Sequence, residues 1–234
     1  MTPRFDLAAA RRRMVEQQLR TQAILAPGIL GILGRLPREE FAPVAFRTLA
    51  YAELEIPLGH GAVMDRPSFV GAVLAAVGPA AGERALEIGT GSGYLTACLG
   101  TAGTTVHSVE IEPALAARAR RVLAAVTPDV HATIETADIH TWNGPEKVYD
   151  IVVLGGSLPA WDPSFLQALR PGGRLFAVIG RPPLMSARLY VRAAAGEGMS
   201  ARPLFETRLT PLRGLPAPRE RLAAPPRLAE SRLS

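Results

Sequence analysis

Three glycines at alternate positions, Gly89, Gly91 and Gly93, follow the apolar run Ala85-Leu86-Glu87-Ile88, and Glu110 stands nineteen residues after Gly91. These residue types at this spacing suit the holding of a nucleoside. A turn without Cβ atoms takes positive φ and lets a ligand approach the main chain, while the N–H groups of the following helix point at what is bound. A carboxylate at the end of the neighbouring strand can accept both ribose hydroxyls. The glycines alone are equally compatible with an ordinary strand-to-helix turn, and it is Glu110 that favours a nucleoside site. Tyr94 stands where a dinucleotide fingerprint places its third glycine. That argues against NAD, whose pyrophosphate needs close approach, and for S-adenosyl-L-methionine, which has no phosphate. The expected cofactor-binding residues are Glu87, Gly89, Thr90, Gly91, Ser92, Gly93, Glu110 and Ile111.

These residues need a parallel sheet to position them. Short apolar runs predict strands near 84–88, 105–109, 130–135, 148–154 and 173–179, with helices near 93–101, 113–125 and 162–169 between them. Residues 186–194 and 203–210 carry strand formers with no long helix between them, which predicts an antiparallel pair completing the sheet. The expected architecture is α/β, a doubly wound, mostly parallel seven-stranded sheet with an N-terminal helical extension. Upstream, Asp6 is placed to cap a helix running to about Leu25, with Pro27-Gly28 ending it and a second helix over 29–35. Repeated prolines predict short helices and loop from Phe41 to Met64, before a helix that starts at Pro67 and stops at Gly78-Pro79. The expected organisation is a helical and loop layer over 1–66, a core over 67–214, and a flexible tail rich in Pro and Arg over 215–234.

The chain has 234 residues, 48% of them hydrophobic, and a net charge of +5. The positive excess lies at the ends. Residues 1–20 hold five Arg against two acids and residues 202–234 seven Arg against three Glu. No groove with interleaved basic and aromatic residues follows from this, so nucleic acid is not an expected partner. Residues 1–20 show neither a signal peptide nor a membrane span, and a cytoplasmic location is expected. The single cysteine, Cys98, falls in an apolar helical stretch and is expected to be inert packing. His107, His131 and His140 have no ligand spacing with Cys98 or one another, so no metal site is expected. Trp142 and Trp161 follow strands, where they either wall a pocket or pack in the core.

Several further segments resemble the protein-L-isoaspartate O-methyltransferase family, and the likeness runs through about residues 10 to 214. They are Arg13-Met14-Val15-Glu16-Gln17-Gln18-Leu19, Leu36-Pro37-Arg38-Glu39-Glu40-Phe41-Ala42-Pro43, Leu49-Ala50-Tyr51-Ala52 and Ile56-Pro57-Leu58-Gly59-His60-Gly61. Leu86 to Tyr94, Leu169 to Leu175 and Leu204 to Leu212 complete the series. The resemblance implies a Rossmann-like methyltransferase that uses S-adenosyl-L-methionine to methylate the carboxylate of isoaspartyl residues in damaged proteins or peptides. It also implies that Asp138 lies near the adenine, although Ala137 and Ile139 stand where the family usually has glycine.

The chain departs from the family at the acceptor site. The family continues its Gly-His-Gly segment into Thr-Ile-Ser, a variable residue and proline; here the residues are Val63-Met64-Asp65-Arg66-Pro67. Asp65 thus takes the place of a serine that can bond the substrate carboxylate. Two like charges about 4 Å apart repel by roughly 4 kcal/mol at an effective dielectric near 20. Asp65 has two other readings: a cap for the helix starting at Pro67, and a general base for a neutral acceptor. His60 is expected either at the acceptor pocket or holding loop backbone. Asp65 and His60 are therefore the catalytic candidates. The alternatives to isoaspartyl methylation are a relative acting on another acceptor and a cofactor-binding protein without catalysis.

Overall fold

The computed structural model describes residues 6–214 apart from 23, 25, 196 and 197, so the expected tail over 215–234 lies outside the described residues. Nine strands are seen among them: β1 (Ile56–Gly59), β2 (Ala62–Met64), β3 (Arg84–Ile88), β4 (Thr105–Glu110), β5 (Ala132–Thr136), β6 (Tyr149–Leu154), β7 (Leu169–Arg181), β8 (Leu184–Arg192) and β9 (Met199–Glu206). The first two form a separate hairpin, and the other seven make one sheet in the order β5-β4-β3-β6-β7-β8-β9. Pairing is parallel from β5 through β7 and antiparallel from β7 to β9. This is the expected mostly parallel seven-stranded sheet. The chain runs outward from β3 to β5, then returns to lay β6 on the other side of β3. That reversal opens a crevice at the carboxyl ends of β3 and β6, where folds of this kind bind ligands.

Alternate residues of the central strands feed two apolar clusters, because successive side chains on a strand point to opposite faces. Ala85, Ile151 and Val153 join one cluster, and Leu86, Val152 and Leu154 the other. The first cluster also takes in α4 (Pro67–Val77), α5 (Tyr94–Thr101) and α6 (Pro113–Val126), together with Met14, Leu33 and Phe41 from the N-terminal segments. The second face is covered by Leu158, by Phe165 of a short 3-10 helix over Pro163–Ala168, and by the loop around Ile139 and Trp142. The connection from β5 to β6 carries no helix.

The N-terminal layer differs from expectation in its joints. Asp6 does cap α1 (Leu7–Arg13), accepting from Ala9 N at 2.9 Å. The chain then widens into a π-helical stretch over Met14–Leu19 and tightens into a 3-10 turn over Arg20–Gln22. Pro27 opens α2 (Pro27–Arg35) rather than closing its predecessor, since a first-turn proline loses no intrahelical bond. α3 (Arg38–Phe41) follows. Arg11 ties these pieces together, donating to Tyr51 Oη at 2.6 Å, Arg35 O at 3.2 Å and Glu39 Oε1 at 3.0 Å. Residues 207–210, expected as strand, leave the sheet after β9 instead. None of the described helices is long and apolar enough to cross a membrane.

Candidate active site

The crevice at the end of β3 is a cleft with about 940 Å³ of space between atoms, part of it open to solvent. Its floor is the glycine loop. Gly91 has φ +53, and its N–H donates to Glu110 Oε2 at 2.8 Å, while Glu110 Oε1 accepts from Glu112 N at 3.0 Å. Glu110 is 5% exposed at the end of β4, so its carboxylate is fixed by main-chain donors, with lone pairs left for hydroxyls in the cleft. The opposite lip is equally close-fitting. A Cβ on Gly155, just after β6, would lie 2.5 Å from Gly89 O, and one on Gly156 would lie 2.7 Å from Leu212 N.

Two segments far apart in sequence roof this floor. The β1–β2 hairpin lies over Gly91, where a Cβ would meet Leu58 Cδ1 at 3.6 Å and Val63 O at 3.8 Å. From the other end of the chain, residues 207–214 cross the switch point as a strap. Ser157 N donates to Thr210 O and Leu212 N to Ser157 O, both at 2.9 Å, and Ser157 Oγ donates to Leu209 O at 2.9 Å. Leu209, Thr210, Pro211, Leu212 and Arg213 all line the cleft. Hairpin and strap meet where Arg213 Nη1 donates to His60 O at 3.0 Å.

Of the residues expected from sequence, Glu87, Gly89, Thr90, Gly91, Ser92, Glu110, Ile111 and Asp65 line the cleft together. Gly93 sits behind it at the start of α5, against Ala119 of α6. Asp138 stands at the rim between lining residues Ala137 and Ile139; its Oδ1 accepts from His140 N at 3.0 Å, and a Cβ on Gly214 would lie 2.9 Å from it. His60 is not brought to the cleft. At the hairpin tip with φ +53, its side chain is 46% exposed and places Nδ1 3.3 Å from Glu112 Oε2. Trp142 donates to Glu135 Oε2 at 2.9 Å, and Trp161 stacks on Tyr190 at 3.7 Å between centroids, so neither walls the cleft. Cys98 is fully buried, and burial pushes its thiol far up.

Asp65 does not cap the helix it precedes. The cap position of α4 is Arg66, which makes no capping side-chain bond, and the first turn is served by Glu53, which accepts from Ser68 N at 3.3 Å and from Ser68 Oγ. The half-buried Asp65 carboxyl has no hydrogen-bond partner among the described residues. Removal from water, then Glu55, push it up to about 7 against the pull of Arg38 and Arg66.

Beneath Asp65 lies a residue that sequence reading had not placed in the site. Arg38 is 0% exposed, donates through Nε to Ala50 O at 2.7 Å and through Nη2 to Asp65 O, and lies 4.8 Å over the Tyr94 ring. It also lines the cleft, and its Nη1 is buried without a partner among the described residues.

Glu87 is the second acid pushed up to about 7, first by burial, against hydrogen bonds from Thr96 and Ser108 and with Glu110 and Asp65 adding to the rise. Its folded value lies above that of an unfolded chain, about 4.3, so the native state holds the proton more tightly. The resulting stabilisation is complete below about pH 4 and is lost as pH rises through 7. Between pH 5.5 and 8 the unliganded protein is expected to lose about 1–2 kcal/mol from this group, and Glu87→Gln to remove that part of the loss. Thermal denaturation of both proteins across this range checks it; an identical pH slope in the two would rule it out.

The geometry is that of a cleft at the carboxyl ends of the central strands whose lining includes the acids Asp65, Glu87 and Glu110 and the cations Arg38 and Arg213. The sequence model of the protein-L-isoaspartate(D-aspartate) O-methyltransferase family matches residues 9–214. A protein-L-isoaspartate O-methyltransferase of Syntrophotalea carbinolica is 34% identical over 211 residues, covering 90% of this chain and 96% of the relative. Protein-L-isoaspartate O-methyltransferase 1 of Rhodopseudomonas palustris is 32% identical over 209 residues, covering 89% and 85%. The same fold is found in a Plasmodium falciparum structure described as a protein-L-isoaspartate O-methyltransferase in complex with S-adenosyl-L-homocysteine. Its TM-score is 0.76 at 17% identity, with 88% of this chain and 99% of that one covered.

Proposed function

Because the chain belongs to the protein-L-isoaspartate(D-aspartate) O-methyltransferase family, we propose that it transfers a methyl group from S-adenosyl-L-methionine to the carboxylate of isoaspartyl residues in proteins or peptides. The observation that carries this reading is the reach of the family match. It includes the N-terminal segments that supply Arg38, the hairpin and Asp65, as well as the nucleoside-binding core.

The residues fit the cofactor. Glu110 offers oxygens at the carboxyl end of β4 for two ribose hydroxyls, Ile111, Ala137 and Ile139 give apolar walls for a purine, and Gly91 leaves room where a Cβ would project toward the hairpin. Glu87 supplies negative charge for the cationic sulfonium and ammonium groups. When bound, S-adenosyl-L-methionine supplies a methyl group activated by positive sulfur. A carboxylate acceptor is already a nucleophile and needs no base, so the protein's work is to align it and keep water out. The hairpin and the strap do the second. His60, whose carbonyl accepts from Arg213 where they meet, serves in this reading as a joint between them.

The test uses two peptides of one sequence, carrying isoaspartate or aspartate at a single position, with a methyl-labelled donor. Label is expected in the isoaspartyl peptide alone, in a linkage that base hydrolyses. Label in neither peptide, or equally in both, would overturn the assignment.

A further inference from the structure

We infer that Asp65 selects the acceptor: as a neutral carboxylic acid it donates a hydrogen bond to the acceptor carboxylate, and as a carboxylate it turns that acceptor away. This deepens the reading above and rests on it. Asp65 reaches the cleft wall from the end of β2, and its main-chain oxygen is held from below by Arg38. The side chain has no bond of its own among the described residues, and Glu53 has taken over the first turn of α4. It is therefore a held but unengaged polar group facing the place where chemistry happens.

The charges around it set what it can receive. Glu55 precedes the hairpin and Glu87 stands on β3; both oppose a negative Asp65, whereas Arg38 of α3 and the adjacent Arg66 favour one. Arg66 also reaches the strap, donating to Thr207 Oγ1 at 3.3 Å. With burial added, Asp65 exchanges its proton near neutrality. A peptide carboxylate stays ionised throughout this range, since its own value is about 3.5. Brought beside Asp65 it raises that residue's hold on the proton, as one carboxylate does for another. The pair shares one proton in a charge-assisted bond, and a neutral hydroxyl or amide gains no such bond. During transfer the proton stays on Asp65. The acceptor's other oxygen forms the new O–C bond with its lone pair, the S–C bond breaks, and its electrons remain on sulfur. The ester product is uncharged, so the bond from Asp65 weakens as the product forms.

The experiment measures binding of an isoaspartyl peptide to the protein loaded with S-adenosyl-L-homocysteine, and kcat/KM for methyl transfer, at pH 6 and pH 8. With a proton exchanged at about 7, the protonated fraction falls about tenfold across this interval, and affinity and kcat/KM are expected to fall with it. In Asp65→Asn the amide donates at every pH, so both slopes flatten while S-adenosyl-L-homocysteine still binds. Asp65→Ser serves the same comparison if the Asn protein does not fold. A peptide that is methylated with no pH slope in the parent, or with the same slope in the variants, overturns the role of Asp65 and leaves the proposed function standing. A slope that rises with pH overturns it in favour of Asp65 as a base. Failure to bind or methylate the peptide at either pH overturns both.

Discussion

Replacing Glu110 by alanine is expected to weaken S-adenosyl-L-homocysteine binding by at least about 100-fold. Each hydrogen bond from a hydroxyl to a charged carboxylate contributes about 1.5–3 kcal/mol, so the two offered to a ribose account for about 3 kcal/mol or more, and about 1.4 kcal/mol is a factor of ten. The carboxylate also anchors the loop, through Gly91 N at 2.8 Å and Glu112 N at 3.0 Å, so its loss releases the floor of the cleft as well. Glu110→Gln retains one acceptor oxygen and should fall between the parent and the alanine variant. Calorimetric titration gives the affinities. A thermal shift supplies a second reading: ligand at 100 times Kd stabilises the parent by about 2.7 kcal/mol and should leave the alanine variant nearly unmoved. Parent-like affinity in Glu110→Ala would show that the ribose is held elsewhere.

Arg38→Ala is expected to cost about 3–5 kcal/mol of stability, through a large cavity and main-chain acceptors stripped of their donor. Ala50 O and Asp65 O lose their bonds, and Tyr94, itself buried, loses the guanidinium packed on its ring. For a protein of this size each kcal/mol shifts Tm by about 2–4 °C, so a drop of about 10 °C should be seen by thermal denaturation. Arg38→Met should lose less. It restores much of the volume and removes a cation whose Nη1 is buried without a partner among the described residues, and an apolar group of similar size often replaces a buried charge at little cost. A Tm within 2 °C of the parent for the alanine variant would mean that the guanidinium supports nothing.

Arg38 also shows where reading the sequence stops. A lone arginine in Leu36-Pro37-Arg38-Glu39 reads as solvated, because the carbonyls that make its burial tolerable come from Ala50 and from Asp65, 12 and 27 residues away. The glycine loop and β3 were legible because local chemistry dictates them: an apolar strand, then glycines at positive φ. Helix α4 was legible from its proline start and its Gly78-Pro79 stop. The hairpin was not, because its strands have four and three residues, too few for alternation to register, and Gly59-His60-Gly61 reads simply as loop. Pro27-Gly28 carried a stop signal and a start signal at once, and packing chose the start. For Asp65 the sequence offered a cap, and a distant glutamate had taken that task. Local signals therefore gave the floor of the site, whereas its roof and its buried cation depend on partners that no short window contains.

The strap has a consequence for how the molecule is made. Synthesis proceeds from the N-terminus, so the hairpin and the glycine loop emerge long before residues 207–214. A nascent chain that has reached Glu206 possesses every strand of the sheet, yet Leu209 to Arg213, which close one side of the cleft and fasten it to the hairpin tip, are still missing. Completion of the cleft therefore comes after completion of the sheet, and the order of synthesis separates folding of the core from closure of the site.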